Sequence, residues 1–273
     1  MNFRTRVLAA GLALLSLLTV PVLAEDETPG AVERSLEQSL PAPEALEEGG
    51  PLQEHPGIIR PEDIDEHHQV DVFFNWEGKR EAHTGPQSNV PVLYRVDSGP
   101  ETEFRIGWGG LTWQNGTTGF KDVVLGTKWN FLQGRTSWGV LFLVELPTGS
   151  AGFQDPEIEP GAVLSYNYKF SDRFDLTLNA GVQSMVDGVS RDRYFQGSYA
   201  AQAGFELDGR NRLSAGFTGY GPDQTPGGIT RLAAHLGYSF IQDRKTEYSL
   251  YLHRGFAPRG VDWGVTAGVS RRF

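Results

Sequence analysis

The last thirteen residues, Val261 to Phe273, alternate with a period of two. Val261, Trp263, Val265, Ala267, Val269 and Phe273 fall on one row; Asp262, Gly264, Thr266, Gly268, Ser270 and Arg272 fall on the other. Only an extended strand sets alternate residues on opposite faces. An apolar row backed by small and polar residues suits a wall with lipid outside and water inside. Arg271 is the misfit on the outer row. Two residues from the end, it lies where its charge can reach interfacial water.

A chain that ends on an aromatic residue at the close of such a strand resembles the assembly signal of bacterial outer-membrane barrels. That implies the barrel-assembly machinery as a partner, acting through Phe273. The other end of the chain agrees. Arg4 and Arg6 precede an apolar run from Val7 to Leu18, and Val22 and Ala24 complete a cleavage pattern. Residues 1–24 therefore read as a secretory signal peptide. No later stretch is apolar for long enough to cross a bilayer as a helix, so the remainder is either soluble or a barrel. Cysteine is absent, which excludes disulfide staples, thiol catalysis and lipid attachment at cysteine.

The net charge of −10 is unevenly spread. Residues 25–68 carry thirteen acids against two arginines, with several prolines and almost no aromatic residues. Such a segment cannot bury enough apolar surface to fold, so a disordered periplasmic leader is expected there. From Gln69 onward the balance is near neutral, and residues 69–273 are expected to form the barrel. An acidic chain without a basic patch has no footprint for nucleic acid.

Twelve alternating segments follow, and the separators between them fall into two classes. Short polar turns occur at 97–101, 132–135, 171–173, 208–211 and 242–245. Longer stretches rich in Gly and Pro occur at 78–89, 149–156, 187–193, 221–228 and 255–259, with 115–118 as a short exception. The two classes alternate along the chain, as periplasmic turns and outer loops do in bacterial barrels. An even strand number also returns both ends to one side. A soluble sandwich would alternate too, with its apolar row inward. Here Trp129, Trp138, Tyr168, Phe170, Phe174, Tyr238, Phe240 and Tyr248 cluster beside the short turns. Aromatic belts at a membrane interface explain that placement; a sandwich core would put aromatics in mid-strand. The expected fold is all-β, an antiparallel transmembrane β-barrel of about twelve strands.

Three segments carry a family likeness: Phe104-Arg-Ile-Gly-Trp-Gly-Gly110, then Gly119 to Trp129 leading to Glu145-Leu-Pro-Thr-Gly149, and the closing Gly264 to Phe273. On these the chain resembles the MetA-pathway-of-phenol-degradation family of outer-membrane transporters, over Val92 to Phe273. The resemblance implies passive passage of small solutes, apolar or aromatic compounds among them, through a barrel seated in outer-membrane lipid and lipopolysaccharide. These motifs belong to barrels and carry no catalytic signature.

Strand parity sends a set of charged side chains into the bore. Arg105, Asp122, Lys128, Glu145, Lys169, Asp175, Arg231 and His235 are the candidates for lining a solute path. Hairpin pairing sets Lys169 opposite Asp175 and Glu206 opposite Arg212. Whether such charges fill the bore or line a narrow pore is open in the sequence. Asp122 and Lys128, spaced around Gly126, face the bore together, where pairing and packing explain them better than solute contact. Asp155, Glu157 and Glu159 form an acidic cluster near the outer mouth. A hard cation could bind there, although a solvated rim is the preferred reading, and no metal or cofactor is expected. His235 and His253 fall on neighbouring strands, facing each other or offset by one pair, without an evident third zinc ligand. An outer-membrane hydrolase of lipid or peptide is the alternative class, with His253 beside Ser198 or Ser249. No Gly-x-Ser-x-Gly segment supports it, and no spacing singles out a triad. A filled structural barrel whose outer loops bind a partner is the third reading.

Overall fold

The computed structural model describes residues 68–78, 86–114, 116–153, 155, 157–186, 191–221, 231–256 and 263–273. The expected signal peptide, and the acidic leader up to residue 67, lie outside these. Period-two patterning becomes strand throughout: β1 (His68–Gly78), β2 (Gln87–Asp97), β3 (Thr102–Gln114), β4 (Thr117–Phe120), β5 (Val123–Leu132), β6 (Thr136–Leu146) and β7 (Glu159–Ser171). They are followed by β8 (Phe174–Val186), β9 (Arg193–Glu206), β10 (Asn211–Tyr220), β11 (Arg231–Asp243), β12 (Thr246–Gly255) and β13 (Trp263–Arg272).

All pairings are antiparallel, and β13 pairs with β1 to close the sheet on itself. β4 and β5 both pair with β3, at its two ends, and continue one another through Lys121 and Asp122. Counted as one bent strand, they give a closed barrel of twelve strands, the number read from the alternation. Closure pairs the strands of the wall on both sides, where hydrocarbon would leave a free edge unsatisfied; the short β4, at the loop end, has β3 as its one strand partner among the described residues.

The bend has a local cause. Pro91 of β2 has no N–H for the ladder, and the register with β3 shifts between Val90 and Val92. Gly110 faces this irregularity with φ +83°, and a Cβ there would fall 1.9 Å from the Val90 carbonyl oxygen. Only glycine fits that position. Beyond it, Gly109 N–H donates to Asp122 O at 2.9 Å and Lys121 N–H to Gly110 O at 3.0 Å, so the wall stays continuous through the bend.

The five short turns share one end of the barrel with both termini of the described chain, where Phe273 N–H donates to His68 O at 2.9 Å. This is called the turn end below, and the opposite rim the loop end. β1 opens at His68, a residue the sequence reading left in the leader; His68 Nδ1 lies 2.6 Å from the Tyr94 hydroxyl.

The faces are inverted relative to a soluble protein. Ile106, Leu125, Phe142, Leu164, Leu178, Val182, Leu236, Leu250 and Leu252 stand exposed on the outer wall. Holding a side chain of this size in hydrocarbon rather than water is worth roughly 1.5–3 kcal/mol. Aromatic contacts cluster near the turn end, as in Trp129–Phe131, Trp138–Tyr166 and Phe170–Phe174, with ring centroids 5.5, 4.7 and 5.2 Å apart. At the loop end Trp263 lies under the Arg254 guanidinium, 4.5 Å from it. Two aromatic levels with an aliphatic band between them match a bilayer and its interfaces. Arg271, the outer-row misfit, turns its guanidinium to the Thr246 hydroxyl at 2.5 Å, at the turn end.

Candidate functional site in the barrel lumen

Alternation that puts Leu and Phe outside puts polar residues inside, and the inner row is buried. Asn167, Thr177, Glu159, Glu247 and Ser270 have 0% exposed surface. Bulk water would leave such side chains accessible, so protein atoms surround them and the bore is not a wide aqueous channel. Buried polar groups must find partners or cost stability. The partners they find divide the lumen into levels.

Toward the turn end, β1, β2, β3 and β5 contribute one ionic cluster. Arg95 meets Asp71 at 2.9 Å and Glu103 at 3.9 Å. Lys128 reaches Glu103 at 3.5 Å, and Arg105 donates to the same carboxylate. Asp71 also accepts from Gln69 Nε2 at 2.8 Å and from the Ser270 hydroxyl at 2.5 Å. Three cations thus share two acids, all buried.

Across the barrel, Arg212 of β10 pairs with Asp175 of β8 and, at 3.4 Å, with Glu206 of β9. Asn167 donates to Asp175 at 3.2 Å and to Thr177 at 3.0 Å. The contact passes over Gly204, where a Cβ would fall 1.9 Å from Arg212 Nη2. Higher in the wall, His235 Nε2 lies 3.2 Å from Gln202 Oε1 and His253 Nε2 lies 2.9 Å from the Thr266 hydroxyl. The two imidazoles face each other in register, ring centroids 6.5 Å apart.

At the loop end the lumen becomes acidic. Asp122 Oδ1 accepts from Thr148 and Gly149 N–H at 2.7 and 2.6 Å, and its Oδ2 from Asp155 N–H at 2.6 Å. One carboxylate therefore ties the loop after β6 to the bend before β5. Carboxylate oxygens of Asp122, Glu145 and Asp155 lie within 4.8 Å of one another. Burial, then the Asp122 charge, push the Asp155 carboxyl above the usual range. Glu159 stands directly opposite Glu145 and accepts from Val186 N–H at 2.7 Å. Glu157 instead points to the exterior rim and pairs with Arg193 at 2.9 Å.

The sequence candidates thus separate. Arg105 and Lys128 come together around Glu103. Asp122 and Lys128 face the bore as the spacing required, but serve different ends of it: Asp122 holds a loop and Lys128 belongs to the ionic cluster. Lys169 is opposite Asp175 in register, yet its side chain is exposed beside a bulge between Lys169 and Ser171. Asp175 takes Arg212 instead. Arg231 opens β11, and its side chain lies outside the described residues. Asp71 and Arg95 were missed because no inner and outer rows were assigned in the first hairpin, although Val70, Val72 and Phe74 alternate with Asp71 in the sequence. Gln202, fully buried against His235, was hidden among the alanines of β9.

A closed antiparallel barrel, apolar outside and charged within, defines a transmembrane β-barrel of the outer-membrane type. The chain belongs to the family described as "Putative MetA-pathway of phenol degradation", whose model matches residues 73–252. That match reaches back into β1, further than the resemblance read from the sequence. The fold is similar to an outer-membrane channel of Pseudomonas putida F1, with a TM-score of 0.63 and 12% identity over 82% of this chain and 100% of that one. The NanC porin aligns with a TM-score of 0.55 at 10% identity over 75% of this chain and 100% of that one. The KdgM porin gives 0.54 at 10% identity over 75% and 99%. At such identities the likeness concerns the fold. No curated protein matches the sequence.

Proposed function

We propose that this protein is an outer-membrane channel for passive passage of small solutes, apolar or aromatic compounds among them. The observation that carries the reading is the charged inner row of a closed barrel, with a mixed ionic cluster toward one end and carboxylates at the other. Family membership supports it, since the family is named for phenol degradation. A bore lined by side chains this closely buried passes small solutes singly, with Arg105, Lys128, Glu145 and Arg231 setting charge preference. The apolar band and its aromatic levels support contact with outer-membrane lipid and lipopolysaccharide. Phe273, at the end of the closing strand, supports delivery by the assembly machinery. Residues 1–24 act as the export signal, and the acidic segment after them remains in the periplasm as a leader.

Conductance across planar bilayers, together with liposome swelling in small aromatic solutes, tests the reading. A purified, folded barrel without current or flux would sink it. That outcome would favour a filled barrel whose outer loops bind a partner, the reading that the burial of the inner row also supports.

The placement of the chemistry-bearing groups supports a non-enzymatic role. His253 engages Thr266, whereas Ser249 lies four residues along the same strand, roughly 13 Å away. Ser198 sits on β9, with β10 and β11 between it and His253. Neither arrangement makes a nucleophile–base pair. Hydrolysis of lipid or peptide substrates that is lost in His253→Ala would overturn this.

A further inference from the structure

The loop-end carboxylates are more numerous and closer together than loop anchoring requires. Of these carboxylates Asp122 ties the loop, through the three backbone N–H groups already described, and Thr148 and Ser150 bond the loop to Val123 and Phe120 as well. Its Oδ2 accepts only one of these, leaving lone-pair capacity on that oxygen. Glu145 adds a second carboxylate and Asp155 a third, with oxygens within 4.8 Å of one another. A calcium ion holds its oxygen ligands at 2.3–2.6 Å, so any two of them lie no more than about 5 Å apart. The three carboxylates meet that limit.

A second, separate observation comes from Glu159. It has 0% exposed surface, and its inner-face position in β7 is directly opposite Glu145 in β6. Oε1 is taken by the Val186 N–H at 2.7 Å, but Oε2 has no hydrogen-bond partner. A buried carboxylate oxygen without a donor is costly. The charges of Asp155, Glu159 and Asp122 all act on Glu145, so the four groups form one electrostatic unit. The basic groups acting on the cluster are Lys121, beside Asp155, and Arg193, near Glu159; Arg193 is already paired with Glu157.

We propose that Asp122, Glu145 and Asp155 form a binding site for one hard divalent cation, Ca²⁺, at the loop end of the lumen, with the buried Glu159 carboxylate opposite Glu145 adding negative charge beside it. Oxygen-only donors exclude soft metals, and donors drawn from a strand, a bend and a loop suit the irregular coordination of calcium better than the strict octahedron of magnesium. The cation joins strand β6 to the bend before β5 through the loop after β6. Because the site faces inward, lipopolysaccharide phosphates on the outer wall do not form it.

Calorimetric titration of Ca²⁺ into the chelator-treated, lipopolysaccharide-free barrel in detergent tests the site. One ion per barrel is expected, with an affinity on the order of 10⁻⁴–10⁻³ M, typical of extracellular sites. Glu145→Gln, which removes a ligand charge, and Glu159→Gln, which removes the charge beside it, should each weaken it at least about tenfold. Asp243→Asn, in a turn at the far end, should leave it unchanged. Ca²⁺ should also slow hydrogen exchange of Thr148 and Gly149 in the parent and not in the variants. That readout requires a folded barrel, which mobility of unheated samples on gels verifies. Absence of Ca²⁺ uptake, or equal uptake in parent and both variants, overturns the proposal. Neither measurement depends on solute flux, so a barrel that conducts nothing still decides it.

Discussion

Asp71 and Arg95 form an ion pair at 2.9 Å inside the wall, with side-chain exposures of 1% and 8%. The contact is diagonal, since Arg95 stands directly opposite Gln69 in register. Asp71 also accepts from Ser270 of β13. One carboxylate therefore links three consecutive strands at the seam where the first strand meets the last. A buried pair of this kind adds little net stability against apolar residues of the same volume, but losing one partner strands the other.

Arg95→Met is accordingly expected to destabilise the barrel by about 3–5 kcal/mol, the cost of an uncompensated buried charge. The double variant Asp71→Leu/Arg95→Met should recover most of that loss. Urea unfolding from lipid vesicles, followed by tryptophan fluorescence, measures both. A double variant as unstable as the single one would show that the seam needs the charges themselves.

The Asp175–Arg212 contact spans three strands and depends on the absence of a side chain at Gly204. A Cβ there would sit 1.9 Å from Arg212 Nη2 and 2.7 Å from Asp175 Oδ1. Gly204→Ala should therefore cost about 1–3 kcal/mol by overpacking. Gly197, on the outer row of the same strand, has only one atom near its Cβ position, the Gly181 oxygen at 4.0 Å. Gly197→Ala should stay within about 0.5 kcal/mol of the parent. Equal losses at the two positions in the same unfolding assay would refute the steric account.

These two contacts also mark how far the sequence could be read. Turn length sets hairpin register, so Glu206 opposite Arg212 followed from local spacing, whereas His235 opposite His253 was open by one pair until the structure placed them in register. The choice of Arg212 over Lys169 by Asp175 did not, because it reaches past the adjacent strand and depends on Gly204. A bulge and a strand end turn Lys169 toward water, and neither leaves a trace in an alternation pattern. The Asp122-Gly126-Lys128 spacing showed a common face, yet strand spacing says nothing of which level along the bore each charge serves. The loop-end cluster was partly visible as Asp155, Glu157 and Glu159. The carboxylates that actually converge are Asp122, Glu145 and Asp155, with Glu159 opposite Glu145, because Asp122 draws the loop inward while Arg193 holds Glu157 outside.

Asp208 gives a pH prediction outside the membrane. The N–H of Arg210 and the side chain of Asn211 hold its carboxyl below the usual range. A lowered native value means that the turn between β9 and β10 gains stability above the ordinary aspartate value of about 3.9, and loses it as pH falls through the lowered one. The amide resonances of Arg210 and Asn211 should therefore titrate with a midpoint below that ordinary value, and Asp208→Ala should abolish the step. A midpoint at or above it would contradict the hydrogen-bond account.

The ionic cluster toward the turn end gives the most direct test of how the lumen sorts charge. Arg95, Arg105 and Lys128 face Asp71 and Glu103, and Lys128→Glu makes the charge of the cluster more negative by two. At an effective dielectric of about 20, a unit charge about 5 Å from a permeating ion contributes about 3 kcal/mol. Even a third of that, about 1 kcal/mol, changes a permeability ratio about fivefold. Reversal potentials under a salt gradient should therefore move toward cation preference in Lys128→Glu, and by a smaller step in Lys128→Gln, which leaves Glu103 its two arginines. Lys169→Glu should move them less than either, because its side chain already lies in water at the rim, where salt screens it. The order Lys128→Glu, Lys128→Gln, Lys169→Glu is what a path past the cluster requires. A larger shift from Lys169 than from Lys128 would mean that ions cross the barrel without passing the cluster.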